Sequence, residues 1–287
     1  MFNIFDKIDE YLKNLCVEGI TDNIQKMFID MNQYVDTLVD VIGKEPKEFN
    51  SNIFSLIENV NKNAVLPVCS LIISAVLCVE LINMVMQRNN MHDFDTIEFF
   101  KYFIKSAIAV FLVSHAFEFT MAAFDVTNKM ISKVVELKNI KTTISNDELI
   151  KLSEQLKEED LSKLLGILTE TTLIRYSFLI LGIIVFLIAY GRMIEIYIYC
   201  SISSLPFATL GNKEWGQIGT NYIKGLFALA LQGVLIVIIL SIYTVLIQNI
   251  KFEDLHKGCL QALVYGVLLG SMLLKSGQIA KSILNAH

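Results

Sequence analysis

The stretch YGRMIEIYIYCSISSLPFATLGNKEW, residues 190–215, sets Arg192 and Glu195 at the end of a long apolar run. Ser201, Ser203, Ser204, Pro206 and the single tryptophan, Trp215, follow. Residues three apart share a helix face, so Arg192 and Glu195 can pair. Serines and a proline suit a segment that bends, breaks or re-enters. Backbone freed by such a break is tolerated at membrane depth only where protein or a water-filled cavity covers it. Two readings fit: interfacial anchors followed by an ordinary helix end, or a segment that lines or gates a polar path. The second needs neighbours and so implies an assembly.

Other polar residues sit inside apolar segments: Glu80, the pair His115 and Glu118, and Gln232. Asp, Lys or Arg at the centre of a membrane helix costs about 2.5–3.5 kcal/mol on insertion scales, and intramembrane ionisable groups usually face a bundle interior or cavity. For His115 and Glu118 the alternatives are a satisfied inter-helix hydrogen bond and a proton relay. Ala262, Gly266 and Gly270 recur every four residues, a small-residue face that lets helices approach closely, whether in this chain or another copy. Motifs for enzymatic chemistry are missing: no HExxH, no GxSxG, no phosphate loop and no paired-histidine spacing. No catalytic residue, metal or cofactor is therefore expected. The five cysteines, Cys16, Cys69, Cys78, Cys200 and Cys259, show no metal or redox spacing and read as small buried hydrophobes.

The elements that position these residues are helical and mostly apolar. Hydrophobic residues make up 54% of the 287, above the ordinary share of about 45–50% for soluble domains. Crossing ~30 Å of hydrocarbon takes about 20 apolar residues. Five segments qualify: 66–86 with Pro67 in its first turn, 103–124, 173–191, 225–247 and a short 259–274. Residues 173–210 are almost continuously apolar, yet as one helix would reach about 57 Å, so an interruption is expected. Ahead of the spans come amphipathic helices, the first stopped at Gly19. The second carries Ile24, Met27, Phe28, Met31, Val35, Leu38 and Ile42 in one stripe. The fold class expected is all-α: a polytopic helical membrane protein with about five spans plus a broken or re-entrant segment.

Four regions follow: an extracytoplasmic amphipathic region (1–64), the first two spans (65–124), an extracytoplasmic helical connection (125–172) and a C-terminal bundle (173–287) whose re-entrant or interfacial part is 196–224. With five spans and the N-terminus outside, Arg88, Lys101, Lys105, Arg192, Lys213, Lys224, Lys275 and Lys281 all fall on the cytoplasmic side, as the positive-inside rule prefers. The C-terminus is then cytoplasmic. The N-terminal sequence carries no signal-peptide pattern. Net charge is −5, so no basic domain marks stable nucleic-acid binding.

The run GRMIEIYIYCSISSLPFATLG followed by NYIKGLFALALQ resembles the TrbL family of conjugation proteins, the polytopic inner-membrane subunits of type IV secretion systems, including variants from Gram-positive elements. The features that carry the likeness are a span ending in Arg192 and Glu195, the break at Ser203 and Pro206, and Lys224 and Gly225 entering a span that holds Gln232. The resemblance implies a homo-oligomeric ring in the lipid bilayer. It also implies work with other secretion membrane subunits, a traffic ATPase and a coupling ATPase, and transient contact with single-stranded DNA and relaxase. Arg192, Glu195, Ser203, Pro206, Lys224 and Gln232 become channel or gating candidates. The alternative is a self-sufficient solute transporter or exporter permease using Glu80, His115 and Glu118. That class usually shows related halves and a midplane site, and neither is found. An intramembrane hydrolase lacks a nucleophile–base pair.

Overall fold

The computed structural model describes residues 2–86, 96–136, 146–212, 214–250 and 254–286. Arg88, Lys213, Lys251 and residues 137–145 of the expected connection lie outside them. The described residues are helical and contain no strand. In chain order the helices are α1 (Phe2–Gly43), α2 (Pro46–Phe49), α3 (Ser51–Val60), α4 (Leu66–Met86), α5 (Thr96–Ser114), α6 (Ala116–Glu136), α7 (Asn146–Lys157), α8 (Leu161–Ser201), α9 (Ser204–Thr209), α10 (Gly216–Gln248) and α11 (Leu255–Ile283). A π-helical turn, Asn61–Val65, joins α3 to α4.

Four helical runs are long and apolar enough to cross a membrane: Ser51–Met86, Leu161–Ser201, Gly216–Gln248 and Leu255–Ile283. A fifth is added if the bent pair of α5 and α6 counts as one span. Only 17% of the most apolar window of the first run is buried inside the protein, so its apolar surface is left for lipid.

Three expectations need correction. Gly19 does not stop a helix: α1 continues through it to Gly43, and the Leu168 side chain lies 2.9 Å from where a Gly19 Cβ would sit. The glycine is there for close approach of a neighbour rather than as a terminator. Pro67 does not begin a span either. The helix arrives from Ser51, and the π turn absorbs the proline. Proline at position 67 can make no bond to the carbonyl four residues back and its ring crowds that carbonyl. Widening the turn, so that the Leu66 N–H donates to the Asn61 carbonyl five residues back, makes room. Third, 103–124 is not one straight span, because the chain turns by 68° between α5 and α6 at His115.

The chain forms two compact units. One comprises Met1–Ile42, Lys133–Tyr190 and Ile236–Ser276. In it the stripe Ile24, Met27, Phe28, Met31, Val35, Leu38 and Ile42 is buried throughout, as its spacing requires. Helix α1 runs parallel to α8. Asn23 donates to Thr172 Oγ1 (3.0 Å) and accepts from Arg175 Nη1 (3.2 Å), and Tyr34 lies against Gly182, where a Cβ would stand 2.3 Å from the ring. Burial, with the Asp30 charge second, pushes the Tyr34 phenol above its ordinary pKa, so the ring packs as a neutral group.

The other unit comprises Gly43–Ser132, Gly191–Leu235 and Gly277–His287. Its apolar centre joins Cys69 and Ile73 of α4, Ala109 and Val113 of α5, Ala116 of α6, and Phe207 and Ala208 of α9. The short helix α9 is thus held inside the unit.

Candidate functional site

Helix α8 ends at Ser201, inside the serine-rich stretch, and the chain turns through Ile202 and Ser203 before α9 begins. The expected interruption is therefore real. It loosens the backbone bonding of a continuous helix: the Cys200 carbonyl takes the Ser203 N–H at 3.3 Å, and one side chain, whose two amide protons are shared among several acceptors, covers the rest. Asn61, 3% exposed, donates through Nδ2 to the carbonyls of Ser201 (3.0 Å) and Cys200 (3.5 Å) and to the hydroxyls of Ser203 (3.2 Å) and Ser204 (3.3 Å). Ser204 Oγ donates back to Asn61 Oδ1 at 3.4 Å. Asn61 is the first residue of the π turn, so the widened helix delivers the amide to the break.

Beyond the break, Pro206, Phe207, Ala208 and Thr209 are all buried. Thr209 Oγ1 donates to the Pro206 carbonyl (2.8 Å) and accepts from the Gly219 N–H (3.1 Å). Only glycine allows this approach, since a Cβ at position 219 would stand 2.6 Å from the Pro206 carbonyl oxygen. Asn212 caps the start of α10, its Oδ1 accepting from the N–H groups of Glu214 (2.7 Å) and Trp215 (3.1 Å). Tyr222 locks the arrangement. Its hydroxyl donates to the Tyr199 carbonyl (2.8 Å) and lies 3.3 Å from Thr120 Oγ1, while its ring stacks on Tyr199 and meets Phe207 edge-on. Tyr197 hydroxyl donates to the Pro46 carbonyl at 2.7 Å, fixing α2 against α8.

The break is consequently covered by this chain's own side chains. The expectation that its freed backbone demands sister subunits does not hold, because Asn61 and the serines satisfy it within one polypeptide.

The remaining candidates separate. Arg192 and Glu195 form no close ion pair among the described residues: Arg192 is buried while Glu195 is exposed, and the Glu195 charge acts on the guanidinium without contact. The Arg192 guanidinium instead lies over Gly233, with Nη2 2.7 Å from where a Cβ would be. Glu80 is held by Lys105 at 2.7 Å, across α4 and α5. His115 sits at the bend with its Nδ1 3.0 Å from the Phe111 carbonyl one turn back, and Glu118 is exposed. Neither forms an inter-helix hydrogen bond, and no bond links Glu80, His115 and Glu118 among the described residues. Gln232 packs against Gly277, its Nε2 3.3 Å from an ideal Cβ there. Lys224 is half-buried beside Gly225, whose absent side chain leaves room for the Tyr199 hydroxyl. Ala262 is fully buried, and Gly266 and Gly270 receive Phe178 and Leu181 of α8, so the small-residue face finds its partner in the same chain. Cys16, Cys69, Cys200 and Cys259 are buried as expected; Cys78 is exposed.

Long apolar helices, little-buried outer surfaces and a broken helix satisfied from within define a multi-pass helical membrane protein. A family model for TrbL/VirB6 plasmid conjugal transfer like proteins matches residues 31–204, and the chain belongs to that family. The matched region takes in Asn61, the first span, Arg192 and the serine break, but stops before Lys224 and Gln232. No curated protein and no solved structure matches the chain.

Proposed function

We propose that the chain is a non-enzymatic channel or scaffold subunit of a conjugative type IV secretion machine, taking part in the passage of single-stranded DNA and relaxase across the cytoplasmic membrane. The observation that carries this reading is the family match over residues 31–204, which spans the built helix break of the second unit. Ser203 and Pro206 shape that break, and Arg192, Glu195, Lys224 and Gln232 lie on the helices that enter and leave it. The N-terminus is outside and the C-terminus cytoplasmic. The chain works as a ring with traffic and coupling ATPases and smaller membrane subunits. The ring rests on the family likeness, since the break itself is satisfied without a second copy.

Contact with the strand is transient and weak. The 125–172 connection holds seven lysines against nine acids, too balanced for a basic clamp. The transporter alternative needs Glu80, His115 and Glu118 to act together, and each is engaged or exposed separately. Crosslinking the transferred strand during mating tests the proposal. Deletion of the chain should abolish transfer, and a photo-reactive strand should label it after the coupling ATPase. Transfer at wild-type frequency without the chain would overturn the reading.

A further inference from the structure

Among the described residues of the second unit, Ser106, Asp125, Asn128 and Arg192 carry buried polar atoms with nothing to bond, and the last three lie on the packed helices α6 and α8. Arg192 is 3% exposed, and its Nε and Nη2 have no hydrogen-bond partner. Those nitrogens form one edge of the guanidinium, the kind of fork that takes a carboxylate with two parallel hydrogen bonds. On α6, Asp125 Oδ1 and Asn128 Nδ2 are also buried without partners. Leaving a buried charge unpaired is costly, and so is leaving a buried amide or carboxylate unbonded.

The packing of α6 on α8 gives the relation between these groups. Met121 Sδ lies 3.6 Å from Cys200 Sγ. Further along, Ile131 Cδ1 and Arg192 Nη2 lie 2.9 and 2.7 Å from the same point above Gly233. Moving up α6 thus means moving down α8: the helices are antiparallel. Interpolating between the two contacts sets Asp125 opposite residue 197, roughly 7 Å along the axis from Arg192 at 1.5 Å per residue. Asn128 falls opposite residue 194. Met121, Asp125 and Asn128 are spaced by four and three, so they occupy one stripe of α6. Sliding α6 by one turn, about 5.4 Å, puts Asp125 where Asn128 now stands, within reach of the guanidinium.

A second observation makes such a slide mechanically accessible. Helix α6 starts at the 68° break at His115 and so is not continuous in direction with α5. Side-chain ridges in grooves favour whole-turn steps over intermediate positions, and one-turn ratchets of packed helices are a known kind of switch.

We propose that α6 has a second register on α8, one helical turn from the observed one, in which Asp125 becomes the bidentate counter-ion of Arg192. The observed register favours the apolar seat of Ile131 and the Met121–Cys200 contact; the other trades these for the ion pair. Gly233 leaves the space through which the guanidinium turns. The slide also carries Thr120 away from Tyr222, so it acts directly on the cradle of the α8–α9 break. Its use as a gate rests on the function proposed above, but the register can be measured without any transfer assay.

The test uses the full-length chain in cell membranes. Met121→Cys with native Cys200, all other cysteines removed, reports the observed register. Met121→Cys with Ile196→Cys in a cysteine-free chain reports the shifted one, because Ile196 is one turn from Cys200 on α8. Both pairs should form disulfides on mild oxidation. Asp125→Asn should lower the 121–196 yield at least ~5-fold while leaving the 121–200 yield intact, which also shows that the variant is folded. The exchange Asp125→Arg with Arg192→Asp should restore the 121–196 product. Absence of that product in the unaltered charge background, or a yield indifferent to Asp125→Asn, overturns the proposal; indifference would mean that Asp125 is not the counter-ion of Arg192.

Discussion

Asn61 is the residue on which the break depends, and nothing in the sequence singles it out. It is one of three alternating asparagines, Asn59, Asn61 and Asn63, in a polar approach to the first span. The serines and proline that it serves are legible, because such residues clustered in an apolar run have little to do there except end or bend a helix. Removing the amide takes the side-chain donor from the Ser201 carbonyl and from two serine hydroxyls in a water-poor interior, while the Cys200 carbonyl keeps the Ser203 N–H. Asn61→Ala should lower stability by about 1–3 kcal/mol, read as a lower midpoint of thermal unfolding in detergent. Asn61→Asp, which cannot donate through its side chain when ionised, should be at least as damaging. A milder effect is expected at Glu80. Its partner Lys105 is 44% exposed, so the pair contributes under about 1 kcal/mol, and Glu80→Gln should leave the unfolding midpoint nearly unchanged. Gly182 behaves otherwise. A methyl group there meets the Tyr34 ring at 2.3 Å, so Gly182→Ala should cost about 1–3 kcal/mol, and Tyr34→Ala in the same chain should recover part of it. Equal costs with and without Tyr34 would mean that the methyl group clashes with something other than this ring.

At the level of elements, the apolar periods locate the helices and their buried faces well, while the irregularities within helices stay hidden. The stripe from Ile24 to Ile42 is buried because 3.6-residue spacing leaves it no alternative once a neighbour is present. Gly19 reads as a stop because glycine ends many helices, but here it admits Leu168. The turn at His115 occurs in VSHAF, without proline or glycine, so composition carries no trace of it. Pro67 is visible in the sequence, but its consequence is not. A proline in a first turn is harmless, whereas one inside a continuing helix forces the chain to widen, and only the structure shows that the helix already runs from Ser51. The π turn and the break are thereby connected: Pro67 widens the helix, the widened helix aims Asn61, and Asn61 satisfies the break. Pro67→Ala should let an ordinary α-turn form and rotate Asn61 away. With cysteines at 61 and 203, a short bifunctional thiol reagent should link the pair efficiently when Pro67 is present and several-fold less when it is alanine. Equal linking in both would mean that the π turn has another cause.

For the whole molecule, the number of crossings is a question of parity, and the bent pair decides it. If α5 and α6 together cross once, the chain has five crossings and its two ends lie on opposite sides; if the pair dips in and returns, there are four and the ends lie together. Five is favoured by charge, because the N-out arrangement then collects Lys101, Lys105, Arg192, Lys224, Lys275 and Lys281 on the cytoplasmic side. Charge weighs less at Lys105, which is engaged by Glu80, and at Arg192, which is buried in protein rather than facing headgroups; neither position needs a cytoplasmic reason for its charge. Lys275 and Lys281 are exposed and retain full weight. Single cysteines at positions 90, 140, 215 and 285 of a cysteine-free chain, probed with a membrane-impermeant maleimide on intact cells, separate the two cases. Five crossings with the N-terminus outside predict labelling at 140 alone, with 90, 215 and 285 labelled only after permeabilisation. A re-entrant α5–α6 pair predicts that 90 and 140 label alike. In that event the 125–172 connection shares a face with the segment before α5, and its proposed contact with strand or partner subunits moves to the side of the membrane where 90 is found.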